Sequence, residues 1–188
     1  KLRIALPGVN TSAKRLFELF FPHHQKCVYT SYEKIMPMVV SGEVDAGVII
    51  DENRFTYQAQ GLLLAVDLGE LWAKKFNQLL PLGGIVAKRS LGNLKIKQIS
   101  DQIAASIRWA FLNFNQPDMR EFILKNAQEL NIDVINQHIA LYVNEYSIQM
   151  GEKGRNAILS FLSKQIYNKP CFINDVFATT IYPSGSET

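Results

Sequence analysis

GEVDAGVIIDENRFTY, residues 42–57, is the stretch around which the rest of the chain organises. Residues 44–50 form an apolar run of strand composition, and it ends abruptly in Asp51, Glu52, Asn53, Arg54, Thr56 and Tyr57. A buried strand that delivers ionisable side chains at its carboxyl end is how open parallel α/β sheets build ligand sites. The pattern therefore favours a small-molecule site over a merely solvated loop, which is the alternative reading of polar residues after a core strand.

Working outward, the first half alternates strand and helix. Residues 2–6 read as a strand stopped by Pro7-Gly8, after which Asn10, Thr11 and Ser12 offer caps for a helix carrying Leu16, Phe17, Leu19 and Phe20. Residues 26–30 read as a strand, and residues 32–41 as a helix kinked at Pro37. Another apolar run covers 61–67, an amphipathic helix holds Leu68, Leu71, Trp72 and Phe76, and residues 82–88 read as a strand. Repeated β–α units of this length predict an α/β fold with a mainly parallel, helix-covered sheet.

Beyond Ser90-Leu91-Gly92 the period changes. Ile96, Ile99, Ile103, Ile107, Ala110 and Phe114 recur at helical steps, and Gln116-Pro117-Asp118 ends that segment. Three further helices are expected around Phe122 to Leu130, Ile135 to Val143 and Ala157 to Leu162. The expected division is therefore 1–90, an α/β lobe with the ligand motifs, and 91–188, a helical part.

Composition excludes several classes. The 188 residues are 47% apolar and 20% charged, with a net charge of +3 and basic residues in scattered pairs, which gives no nucleic-acid footprint. No apolar run reaches the ~20 residues of a membrane span. Cys27 and Cys171 form no CxxC and read most simply as reduced thiols, with a single disulfide left open; His23, His24 and His138 complete no metal-ligand spacing. The chain opens on Lys1 with a strand already under way, from which an absent upstream segment is expected.

Four blocks carry a family resemblance: LPGVNTSA (6–13), GEVDAGVIIDENRFTY (42–57), PLGGIVAKRSLG (81–92) and YVNEYSIQMGEKG (142–154). In order and approximate spacing they resemble the 1,4-dihydroxy-6-naphthoate synthases of the futalosine route to menaquinone. The resemblance implies a cytoplasmic lyase with a periplasmic-binding-protein-like fold of two lobes around a cleft. Here the larger lobe would be incomplete, for want of an amino-terminal segment. It further implies cleavage of cyclic dehypoxanthine futalosine to 1,4-dihydroxy-6-naphthoate and dihydroxyacetone, without metal or organic cofactor. The implied partner is a small carboxylated substrate, with no nucleic acid and no membrane; a homo-oligomer is compatible with the sequence.

Within that resemblance Asp51 is the candidate acid/base group, standing where the family motif has histidine. Imidazole titrates near 6.5 and free aspartate near 3.9, so Asp51 needs desolvation to serve as a comparable base. Thr11 and Ser12, at a helix start, are candidates for a substrate carboxylate, against the plain reading as an N-cap. Arg54 fits a carboxylate bidentately or bridges to Glu52 or Asp45 as scaffold. Thr56 and Tyr57 read as walls, Gly83 and Gly84 as sites of close packing, and His138 as a structural histidine. Two rivals stand: a carboxylate-binding module of the same fold without chemistry, and a chorismate dehydratase-like enzyme.

Overall fold

In the computed structural model of the chain, the described residues are 2–127 and 131–163. The sheet is small and wholly parallel. Strand β1 (Ile4–Leu6), buried along its length, lies between β2 (Cys27–Tyr29) and β3 (Ala46–Gly47), in the order β2-β1-β3. Ile4 stands opposite Cys27 and Ala46, and Ala5 opposite Val28 and Gly47.

Alternation along β1 divides the core between the two faces of the sheet. Ile4 and Leu6 pack with Phe17 of α1 (Ser12–Phe20) and with Leu68, which opens α4 (Leu68–Phe76). Ala5 packs on the other face with Val44 and with Ile35 of α2 (Tyr32–Val40). Both faces of a parallel sheet must be covered, and these helices do it. Leu6 and Ile35 are fully buried, each worth about 1.5–3 kcal/mol of removed apolar surface. Gly47 marks how tightly α2 lies on β3: a Cβ there would collide with Ile35 Cγ2.

The expected strands are shorter than their apolar runs. Residues 44–50 contribute ladder only at Ala46–Gly47, extended by Asp45 N–H donating to Arg3 O (3.0 Å) and Val48 N–H donating to Ala5 O (2.9 Å). The cause lies in the partner, since β1 stops at Pro7 and Gly8 turns the chain with φ 85°. Residues 82–88 form no strand: Ile85 and Val86 are 78% and 92% exposed, with no described strand beside them. Apolar, β-branched composition sets a tendency that becomes a strand only against a partner. Helix α2 runs through Pro37 as expected, the ring sitting inside the helix.

The chain divides into two compact units. One comprises Lys1–Leu82 with Leu124–Tyr142, the other Gly83–Ile123 with Val143–Thr188. In the first, α4 is capped by Asp67, whose Oδ1 accepts from Gly69 N (2.7 Å) and Glu70 N (3.1 Å). Its Trp72 is fully buried, and the indole Nε1–H donates to Leu79 O (3.1 Å). After β3 come a short helix α3 (Asn53–Thr56) and a 3-10 turn over Tyr57–Gln60 that Gly61 closes with φ 76°.

The second unit is helical among the described residues. Helix α5 (Asn93–Asn113) turns its expected isoleucine face inward, with Ala104 buried at its middle. Pro117 opens α6 (Pro117–Asn126), at the first helical position where its missing N–H costs nothing. The next helix, α7 (Ile132–Tyr142), belongs by its contacts to the strand-bearing unit, unlike the division expected near residue 90. Helix α8 (Glu145–Ile148) packs on α5; Tyr146 N–H donates to Asn144 Oδ1 (2.9 Å) while Ser147 Oγ accepts from Asn144 N–H (3.1 Å). Helix α9 (Gly151–Leu162) buries Gly154, Ala157 and Phe161. Among the described residues no helix is long and apolar enough to cross a membrane. Leu130, expected on a helix, and Cys171 lie outside the described residues; Cys27 is a free thiol.

Candidate active site

Parallel pairing sets the position of the site. The carboxyl ends of β1, β2 and β3 lie on one edge, so the chain leaves that edge toward Thr11, toward Tyr32 and toward Asp51. Asp51 follows β3 with a left-handed backbone, φ 54°, one of two non-glycine residues in that region among those described. Aspartate tolerates it at modest cost, and such outliers gather where function demands a particular side-chain direction. Its carboxyl is pushed above the ordinary aspartate range, first by burial and then by the neighbouring Glu52, while His138 pulls the other way.

Helix α7 supplies the opposing wall by packing on α3. His138 Nδ1 lies 4.0 Å from Glu52 Oε1, both side chains partly buried, at the outer limit of an ion pair. One turn along, Tyr142 stacks edge-to-face with the His138 ring, centroids 4.5 Å apart. The Tyr142 phenol is pushed up by burial first and by Asp51 and Glu52; Arg54 and a hydrogen bond from the Asp51 backbone oppose this. From α2, Tyr32 joins the same field: burial, then Glu52, Glu33 and Asp51 push its phenol up. Its backbone carbonyl accepts from Asn53 Nδ2 (3.3 Å).

Arg54 has a partner the sequence did not indicate. Its Nη2 donates to Asp67 Oδ2 (3.0 Å), so one carboxylate both caps α4 and holds the guanidinium of α3. The two scaffold partners considered from sequence are engaged elsewhere, Asp45 with Arg3 N–H (2.6 Å) and Glu52 with His138. Thr11 is the N-cap of α1: its Oγ1 accepts from Lys14 N (3.2 Å) and donates to Gly8 O (3.3 Å). Ser12, half-buried, is the first residue of that helix. Gly83 and Gly84 are open at Cα, with nothing within 4 Å of an added Cβ, so the expected packing is absent there.

From sequence, His138 reads as a structural histidine and Tyr142 takes no site role; the structure brings both to this cluster. Both lie far from the 42–57 motif; the available signals were their i, i+4 spacing on α7 and, for Tyr142, its place at the head of the 142–154 block. Among the described residues no group of three or more His, Cys, Asp or Glu is placed to hold a metal ion. A separate hollow lined by Leu2, Phe20, Phe21, Pro22, His23 and His24 lies at the far end of α1. Its lining is mainly apolar, with His23 and His24 the lining side chains able to meet a carboxylate. Asp51 stays the better candidate.

The sequence that builds this edge places the chain in a known group of proteins. The chain belongs to the menaquinone biosynthesis family, whose model matches residues 1–165. Among its relatives, the 1,4-dihydroxy-6-naphthoate synthase of Thermus thermophilus is 39% identical over 157 residues, covering 84% of this chain and 57% of the relative. The enzyme of that name from Streptomyces coelicolor is 38% identical over 167 residues, 86% of this chain and 58% of the relative. The crystal structure of protein AF1704 from Archaeoglobus fulgidus superposes with a TM-score of 0.79 at 28% identity, over 86% of this chain and 60% of that one. The chain thus spans less than three fifths of the length of the two synthases.

Proposed function

We propose that the whole protein is a cytoplasmic carbon–carbon lyase of the futalosine route, releasing 1,4-dihydroxy-6-naphthoate and dihydroxyacetone from cyclic dehypoxanthine futalosine. The observation that carries this reading is Asp51: a partly desolvated carboxylate, held left-handed at the carboxyl edge of the sheet. In this reading Asp51 removes a proton from a sugar hydroxyl, and its raised pKa brings it closer to the strength such a base needs. Thr11 and Ser12 receive the substrate carboxylate at the amino end of α1, where a helix start favours an anion; Thr11 also caps Lys14 N–H there. Arg54 spends one donor on Asp67; a guanidinium carries five, so the fork still serves a ligand carboxylate. The site would lie in a cleft between two lobes, as in periplasmic binding proteins.

The test is turnover by the whole protein with cyclic dehypoxanthine futalosine, comparing wild type with Asp51→Asn. A fall in kcat of about 10²-fold or more is expected for loss of a general base; unchanged turnover removes Asp51 from that role. One observation favours a second reading, a carboxylate-binding module without chemistry: aspartate stands where the resembling family carries histidine. Under that reading Asp51→His raises turnover while ligand affinity stays constant.

A further inference from the structure

We propose that Asp67 is a positioning residue for carboxylate recognition: anchored at the start of α4, it holds the Arg54 guanidinium ready for the substrate carboxylate. The inference rests on the reading of Arg54 as a ligand group and extends it to a residue outside the 42–57 motif. Both ends of Arg54 are fixed. Its backbone N–H donates to Asp51 O (3.4 Å), and the preceding Asn53 ties the same turn to the start of α2, with Nδ2 donating to Tyr32 O (3.3 Å). At the guanidinium, Nη2 donates to Asp67 Oδ2 (3.0 Å). The Asp67 carboxylate cannot swing with it, because its Oδ1 accepts from Gly69 N–H (2.7 Å) and Glu70 N–H (3.1 Å). Helix α4 is itself seated, by Leu68 against the core on the sheet and by the fully buried Trp72.

Folding gains little from this pair. The Arg54 side chain is 45% exposed, and ion pairs so open to water contribute little stability. Asparagine, moreover, caps a helix as well as aspartate does. Recognition gains more. A free arginine must be ordered when a ligand binds, and the lost rotamer freedom weakens binding. An arginine already held presents its other N–H groups without that cost. The same exposure leaves the guanidinium within reach of a ligand. Repulsion between Asp67 and an incoming carboxylate works the other way. Two N–H groups at a helix start already share the Asp67 charge, which damps that repulsion and lets preorganisation prevail.

The test uses the whole protein and two probes, 2-naphthoate and its neutral isostere 2-naphthamide, with affinities measured by calorimetry. Asp67→Asn keeps the capping oxygen and sets an amide nitrogen, which cannot accept, opposite Arg54. It is expected to weaken 2-naphthoate binding by about 3- to 10-fold while 2-naphthamide changes by less than about twofold. Arg54→Ala should weaken 2-naphthoate at least as much. The double variant should be no weaker than Arg54→Ala, because Asp67 acts only through that guanidinium. A merely structural aspartate would instead affect both probes alike and add to Arg54→Ala, which overturns the proposal. Unchanged or tighter 2-naphthoate binding in Asp67→Asn, where Arg54→Ala still weakens it, also overturns it and leaves Arg54 a ligand group. Unchanged binding in Arg54→Ala, or no binding of 2-naphthoate by wild type, removes Arg54 from recognition and the proposal with it. Turnover separates the lyase reading: with cyclic dehypoxanthine futalosine, Asp67→Asn should raise KM by a similar factor while kcat changes less than about twofold. The calorimetric pattern in a protein that never cleaves that substrate supports Asp67 and sinks the lyase.

Discussion

Asp51 concentrates two costs in one residue: a left-handed backbone and a carboxyl held partly away from water. Its raised pKa means that the folded chain binds the Asp51 proton more tightly than the unfolded chain does. That contribution is fully present below the ordinary aspartate pKa and is lost as pH rises through the folded value. Asp51→Asn removes the dependence, so the variant should be more stable than wild type at pH 7, with the difference closing below about pH 4. Urea denaturation at the two pH values measures it. Asp51→Gly should likewise gain stability, by about 1 kcal/mol from the relaxed φ, while losing any turnover. Greater stability together with lost activity would mark a residue kept for chemistry at the expense of folding.

Among the elements, α4 and α2 give the sharpest tests. Asp67 acts on two groups at once, capping α4 and holding Arg54, and two substitutions separate the roles. Asp67→Asn keeps an N-cap oxygen and should lose only the exposed ion pair, under about 1 kcal/mol. Asp67→Ala loses the cap as well and should cost about 1–2 kcal/mol more, read as a lower urea midpoint. Gly47→Ala should cost about 1–3 kcal/mol by driving a methyl into Ile35 between β3 and α2. The element types were largely legible in the chain. Pro7-Gly8, the Thr11 cap and the isoleucine face of α5 each act locally, and local rules read them correctly. What was illegible depends on partners. Residues 82–88 look like a strand and have none beside them, and residues 44–50 form only as much ladder as β1 can match. In the site, Asp51 was visible as the end of an apolar run, but the Arg54–Asp67 pair and the approach of α7 join residues distant in sequence. No spacing rule connects them.

At the scale of the whole chain, the apolar surface left open is the main physical fact. Leu63, Ile85, Val86, Leu94 and Leu112 are all at least three-quarters exposed, more than isolated surface residues would account for. The 188-residue chain on its own should therefore self-associate. Light scattering should show apparent mass rising with concentration, and a combined Val86→Ser, Leu112→Gln change should reduce the rise. A strictly monomeric chain at high concentration would contradict this.

The placement of α7 has a consequence for how the protein is made. Its carboxyl-edge wall is encoded well after the strands it serves, so a ribosome completes the sheet before it delivers His138 and Tyr142. Nascent chains arrested before residue 132 should acquire protease-resistant strands yet present Asp51 to bulk solvent, without its aromatic and imidazole neighbours. Translation of this chain therefore delivers the described strands before the α7 residues that pack beside Asp51 and Glu52.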